Sequence, residues 1–252
     1  MGQRNVLITG ATSGIGEATA RLLAKNNYNL ILCGRREEKL RKLKTELLSQ
    51  TKVTTLLFDV RDNDAVKNAL HSLGPEWKTI DVLINNAGNA HGLDPVHKGS
   101  VEDWDAMMDI NVKGLLYVSR EVLPGMTEQK SGHVINIGSV AGKEVYPNGN
   151  VYCASKFAVD ALTKGMRMDL NPFGIKVTAI HPGMVETEFS LVRFKGDEER
   201  AASVYKGVKP LTAEDIADTI FYVLSTPDHV VIADMVVYPK SQASATIVKR
   251  ES

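Results

Sequence analysis

The chain has 252 residues, with 30 Lys+Arg against 30 Asp+Glu, so its formal net charge is zero. That balance excludes broad electrostatic binding to nucleic acid or an anionic membrane, though not a local cluster of cations. At 43% hydrophobic and 24% charged residues it is a globular chain with ample core, not a disordered one.

The first predicted strand covers residues 6–9 and runs into Thr9-Gly10-Ala11-Thr12-Ser13-Gly14-Ile15-Gly16, followed by a helix over 15–26. Glycines between a strand and a helix permit a tight turn and a close backbone approach, and the helix N-terminus offers N–H groups to a pyrophosphate. A second strand (30–33) ends at Cys33-Gly34-Arg35-Arg36, ahead of a helix over 37–49. A site for NAD places an acid at this point to accept the ribose 2′-hydroxyl, whereas two guanidinium groups suit a 2′-phosphate. Arg35 and Arg36 therefore point to NADP.

Strands over 54–58, 81–85, 133–138, 176–180 and 230–237 alternate with helices over 62–72, 101–128, 151–171 and 213–224. Most of the strand runs are continuously apolar, the pattern of strands buried on both faces of a parallel sheet. The alternation predicts an α/β fold, a Rossmann-type doubly wound sheet forming one domain over 1–252. Residues 187–210 break the rhythm with charges and aromatic residues, and their length and position predict a small substrate lid.

Tyr152 and Lys156 are four apart on a predicted helix, which puts them on one face ~5–6 Å apart. An ammonium beside a phenol favours the phenolate; a base working near neutrality needs a downward shift of roughly 2–3 units, about 3–4 kcal/mol. Ser139, at the end of a predicted strand, precedes the pair. Asn111 lies inside a predicted helix, where its propensity is poor.

Thr9–Gly16, Asn85-Asn86-Ala87-Gly88, Ser139, Tyr152-Cys153-Ala154-Ser155-Lys156 and Pro182-Gly183 together resemble the ordered motif set of the short-chain dehydrogenase/reductase family, over essentially the whole chain. The resemblance implies a single Rossmann-type domain and hydride transfer between NAD(P) and an alcohol or carbonyl. It implies that Tyr152 is the general acid or base, that Ser139 binds the substrate oxygen, and that Lys156 also holds the nicotinamide ribose. Asn111 would support a water path to that lysine. On the cofactor, Gly10, Ser13, Gly14, Ile15 and Gly16 would surround the pyrophosphate, Asp59 and Val60 the adenine, and Asn86, Ala87 and Gly88 the adenosine ribose. Pro182, Gly183, Val185 and Thr187 would lie along the nicotinamide. Some NADP-preferring members carry a basic residue where this chain has Ser13, so the 2′-phosphate argument rests on Arg35 and Arg36.

The last third, with Thr187-Glu188-Phe189-Ser190, Val192–Asp197, Val204-Tyr205 and Pro227–Val230, resembles the NADP-dependent 3-hydroxy acid dehydrogenases, whose substrates include serine and allo-threonine. A small hydroxy acid needs a cation for its carboxylate, and the candidates are Arg193 in the lid and Lys143 beyond Ser139. Two alternatives stay open: an NADPH-dependent carbonyl or 3-oxoacyl reductase, and a non-catalytic NADP-binding sensor. The resemblance also implies a homotetramer. His181 reads as structural, and His91 and His97 lack paired ligand spacing, so no metal site is expected. With two cysteines, no sequon, and neither a membrane-spanning nor a secretory segment legible, the expected setting is cytoplasmic and the expected partner a small molecule.

Overall fold

The computed structural model describes residues 3–251. A seven-stranded, all-parallel sheet has the order β3-β2-β1-β4-β5-β6-β7. The strands are β1 (Asn5–Thr9), β2 (Asn29–Gly34), β3 (Val53–Leu57), β4 (Val82–Asn85), β5 (Gly132–Ile137), β6 (Ile175–Pro182) and β7 (Asp234–Val237). The helices are α1 (Gly14–Lys25), α2 (Glu37–Leu47), α3 (Asn63–His71), α4 (Val101–Met108), α5 (Gly114–Gln129), α6 (Asn150–Leu170), α7 (Phe189–Arg193), α8 (Glu198–Ser203) and α9 (Ala213–Leu224).

Strand side chains alternate between two cores. Val6, Ile8, Leu30 and Leu32 pack with Leu40, Leu43 and Leu47 of α2 and Ile216, Ile220 and Val223 of α9. Leu7, Ile31 and Leu83 face the other way, toward Val66 and Leu70 of α3 and Val118, Val122 and Met126 of α5. Helices on both faces explain the continuous apolar runs.

Two predicted elements need correction. The helix expected over 101–128 is interrupted by a π-helical turn, Asp109–Lys113. The wider turn accommodates an inward-facing Asn111, whose Nδ2 donates to Asn89 O at 2.9 Å and Ser155 Oγ at 3.0 Å, while its Oδ1 accepts from Asn89 N at 2.9 Å. The strand expected over 230–237 begins only at Asp234, because residues 227–230 close a turn (Val230 N to Pro227 O, 2.9 Å) and β6 pairs with β7 only from Ala179 onward.

The chain reverses its build direction between β1 and β4, and the strand ends diverge there into a crevice. Thr9 Oγ1 accepts from the backbone N–H groups of Asn86 and Ala87, both at 3.0 Å, and Asn86 Nδ2 donates to Thr9 O at 2.9 Å. A Cβ on Gly16 would lie 2.4 Å from Gly10 O and 2.5 Å from Asn86 Nδ2. Gly16→Ala must push backbone against backbone, so it is expected to lower unfolding stability by about 1–3 kcal/mol in a denaturant titration.

Candidate active site

The crevice is a cavity of about 680 Å³, a size suited to an organic ligand. Gly10 (φ +65°) and Gly14 (φ +53°) turn the chain through left-handed conformations into α1. A Cβ on Gly14 would stand 3.2 Å from Thr187, so glycine keeps this gap open. Ser13 caps α1 without a side-chain cap bond; its Oγ instead accepts from Arg36 Nη2 at 2.6 Å. The helix N-terminus with cations beside it is a fitting receptor for a dinucleotide phosphate.

Gly10, Ser13, Gly14, Ile15, Arg35, Arg36, Asp59, Val60, Asn86, Ala87, Gly88, Pro182, Gly183, Val185 and Thr187 share this cavity wall with Ser139, Tyr152 and Lys156. Gly16 does not line it; it packs behind, against Gly10 and Asn86. Arg35 Nη1 lies 3.1 Å from Asp59 Oδ2, and Arg61 Nη2 lies 2.7 Å from the same oxygen. Burial pushes the Asp59 pKa up, but Arg61 and Arg35 outweigh it and hold it at about 2.

Ser139 follows β5, and its Oγ accepts from Ala141 N at 3.1 Å. Its carbonyl accepts from the buried His181 Nδ1 at 3.2 Å, which puts that ring's proton on Nδ1 and gives His181 a structural role. Tyr152 lies in the first turn of α6, its ring 5.6 Å from that of Phe189 and 5.4 Å from the Arg193 guanidinium carbon. Burial pushes the Tyr152 hydroxyl well up, Tyr146 adds to this, and Ser139 and Arg193 pull back less strongly. The phenol is therefore held protonated. Lys156 Nζ donates to Ile137 O at 3.0 Å, and burial lowers its pKa to about 8. Lys156 is not among the groups that shift the Tyr152 hydroxyl, and desolvation outweighs the downward pull of Ser139 and Arg193.

Arg193 reaches the cavity from α7. Its Nη2 donates to Tyr146 Oη at 2.7 Å and its Nε to Gly92 O at 3.2 Å, which fixes the guanidinium beside Tyr152. Lys143 does not reach the cavity. Its Nζ is 2.8 Å from Asp160 Oδ1 and 2.5 Å from Asp234 Oδ2, so its charge is spent on two carboxylates behind β5 and it is discarded as a substrate ligand.

Several wall residues carried no sequence signal. Tyr146 positions Arg193. Gln242 Oε1 accepts from Met184 N at 2.8 Å, where a Cβ on Gly183 would lie 2.4 Å away. Ala245, Thr246, Val248 and Arg250 bring the C-terminal segment over the cavity, with Glu251 N bonded to Gly207 O at 2.7 Å. Lys39 and Glu188 form an ion pair at 2.7 Å at the cavity edge.

Burying a lysine whose pKa falls from 10.5 to about 8 is a stability cost present in full below pH 8 and relieved as pH rises toward 10.5. Wild type should therefore gain stability relative to Lys156→Met across that window, by an upper bound of roughly 3 kcal/mol, in paired denaturant titrations. A difference flat with pH would show that the ammonium is not desolvated.

Residues 4–197 match the family model described as short chain dehydrogenase. The chain is 48% identical over 241 residues to an NADP-dependent 3-hydroxy acid dehydrogenase of Salmonella typhi, covering 95% of this chain and 96% of the relative. It is 44% identical over 248 residues to sulfoacetaldehyde reductase 2 of Chromohalobacter salexigens, covering 98% of each. The solved closed form of a serine dehydrogenase complexed with NADP+ superposes with a TM-score of 0.92 at 44% identity, over 98% of this chain and 100% of that one. With the Ser139–Tyr152–Lys156 constellation at the mouth of a doubly wound sheet, and with matches running nearly end to end, this chain is an oxidoreductase and belongs to the short-chain dehydrogenase/reductase family.

Proposed function

We propose that the protein is an NADP-dependent dehydrogenase acting on the 3-hydroxyl of a small 3-hydroxy acid of the serine, allo-threonine or 3-hydroxyisobutyrate type. One observation carries the substrate class: the Arg193 guanidinium stands 5.4 Å over the Tyr152 ring, held there by neutral oxygens. A carboxylate anchored on that fork brings a hydroxyl two carbons away toward the phenol. The names of the relatives, for 3-hydroxy acids, serine and sulfoacetaldehyde, support a small substrate with an anionic group. Arg35 and Arg36 beside the glycine turn support the NADP assignment.

NADP, held by the glycine turn with Arg35 and Arg36, would supply hydride donation to, or acceptance from, the substrate carbon. In the reducing direction the protonated Tyr152 hydroxyl gives its proton to the substrate oxygen, and in the oxidising direction it takes one back. Ser139 Oγ, accepting from Ala141 N, keeps its own proton to donate to that oxygen as charge builds on it. Lys156 and Arg193 are the protein cations whose charge offsets the phenolate needed for oxidation. Asn111, clamped on Asn89 and Ser155, fixes the helix turn that carries Lys156. Residues 187–210, now seen as α7 and α8 with their connections, act in this reading as the lid.

The reading extends to a homotetramer built on the outer faces of α4, α5 and α6, which display Met108, Leu116, Phe157 and Met168. The setting is cytoplasmic, in keeping with two unpaired thiols, Cys33 and Cys153. Light scattering should return four chain masses; a stable monomer would overturn the assembly.

The activity is tested by following reduced nicotinamide with NADP or NAD and with L-serine, L-allo-threonine, 3-hydroxyisobutyrate and their amides, and with sulfoacetaldehyde in reverse. Turnover should require NADP and an anionic substrate. Arg193→Ala should raise KM for the acids at least ~10-fold while barely changing the amides. Tyr152→Phe should cut kcat by roughly 10²–10⁴-fold. Equal use of acid and amide by wild type would leave the carbonyl or 3-oxoacyl reductase alternative, and silence of every pair would leave the sensor.

A further inference from the structure

Glu188 lies at the start of the segment over the cavity, between Thr187 and Phe189, yet its carboxylate points back toward α2. Its Oε2 is 2.7 Å from Arg36 Nη1 and its Oε1 is 2.7 Å from Lys39 Nζ. Arg36 is held from behind as well, with Nε on Thr12 Oγ1 at 3.1 Å and Nη2 on Ser13 Oγ at 2.6 Å. One anion thus sits on two cations, Arg36 capping the start of α2 and Lys39 in its first turn, at the mouth of a cavity whose glycine turn suits a phosphate. Partial burial raises the Glu188 pKa, but Lys39 and Arg36 more than reverse this and keep it at about 2, so the group is charged at any working pH.

The three residues 187–189 divide three tasks. Thr187 abuts the position a Gly14 side chain would occupy, at 3.2 Å; Glu188 takes Arg36 and Lys39; Phe189 packs on the Tyr152 ring at 5.6 Å. Whatever displaces Glu188 therefore acts on a segment that touches the glycine turn through Thr187 and the Tyr152 ring through Phe189.

The geometry points to Glu188 as an internal competitor for the cofactor's 2′-phosphate: it bridges Arg36 and Lys39 and yields them when a 2′-phosphate arrives, releasing the 187–193 segment from α2. This rests on the NADP reading, and adds Lys39 to the 2′-phosphate site. NAD carries a 2′-hydroxyl there, too weak an acceptor to take two cations from a carboxylate, so it leaves the anchor in place. The lid then distinguishes the two cofactors through a residue that need not touch either of them.

Calorimetric titration of wild type and Glu188→Gln with 2′,5′-ADP and 5′-AMP tests it without catalysis. The variant should bind 2′,5′-ADP about five-fold more tightly and 5′-AMP unchanged, the gain shrinking as salt screens the pair. Wild type without preference for 2′,5′-ADP would overturn the NADP reading and this inference with it. A wild-type preference that Glu188→Gln leaves alone overturns the competition only. Equal shifts for both nucleotides would make Glu188 a general influence on the site, and weaker 2′,5′-ADP binding by the variant would make it a support; either overturns the competition.

Discussion

The carboxamide of Asn86 holds the end of β4 against the glycine turn at a separation no side chain can enter. Its Nδ2 donates to the carbonyls of Thr9 and Gly10, at 2.9 and 3.2 Å, and the space beside it is where a Cβ on Gly10 or Gly16 would stand. Parallel strands have no backbone bonds left beyond their ends, so this side-chain bridge and the Thr9 hydroxyl extend the β1–β4 pairing by one further step. Everything that makes the crevice useful follows from that step. It orients the N-terminus of α1 into the opening and starts the 86–89 segment along its wall.

Tyr152 and Lys156 obey a different constraint, desolvation. Burial raises the Tyr152 pKa and lowers that of Lys156 to about 8, so near neutrality the phenol stays protonated while the lysine still carries most of its charge. In the proposed reaction Tyr152 starts as the acid, and Lys156 and Arg193 are the charges that offset its phenolate. The π turn serves this arrangement at one remove. A Cβ on Gly88 would lie 2.9 Å from Asn111 Oδ1 and 3.4 Å from Lys156 Nζ, so the wider helical turn, the missing side chain and the ammonium pack as one unit. A regular helix would turn Asn111 elsewhere and leave the Asn89 backbone without its two partners.

How much of this was legible depended on range. The central strands declared themselves because they are buried on both faces, and the glycine turn because left-handed backbone selects residue type locally. Tyr152 and Lys156 were legible because four-residue helical spacing is a local rule. Failures began where a partner distant in sequence decides the outcome. Asp160 and Asp234 claim Lys143 from 17 and 91 residues away, and nothing near Lys143 announces either. Tyr146, Gln242 and the segment around Thr246 enter the wall through tertiary approach alone. The shortened β7 is of the same kind: residues 230–233 are apolar enough for a strand, yet the turn after Pro227 delays pairing with β6.

Zero net charge hides the way individual cations are prepared for anions, and their present partners sort them. Lys143 is matched by two carboxylates, so binding another anion there would mean breaking two ion pairs. Arg193 donates to a tyrosine hydroxyl and a peptide oxygen, groups that fix its orientation without cancelling its charge. A guanidinium so held keeps its attraction for a carboxylate and has already lost the rotamer freedom that binding would otherwise cost. Arg36 and Lys39 stand between these cases, sharing a single carboxylate, half-exposed, whose removal costs far less than that of a buried pair. A phosphate dianion, bearing more charge and more acceptor oxygens than Glu188, is the kind of ligand that wins such an exchange. The charge of the present partner, more than position along the chain, therefore separates Lys143 from the cations proposed to bind ligands.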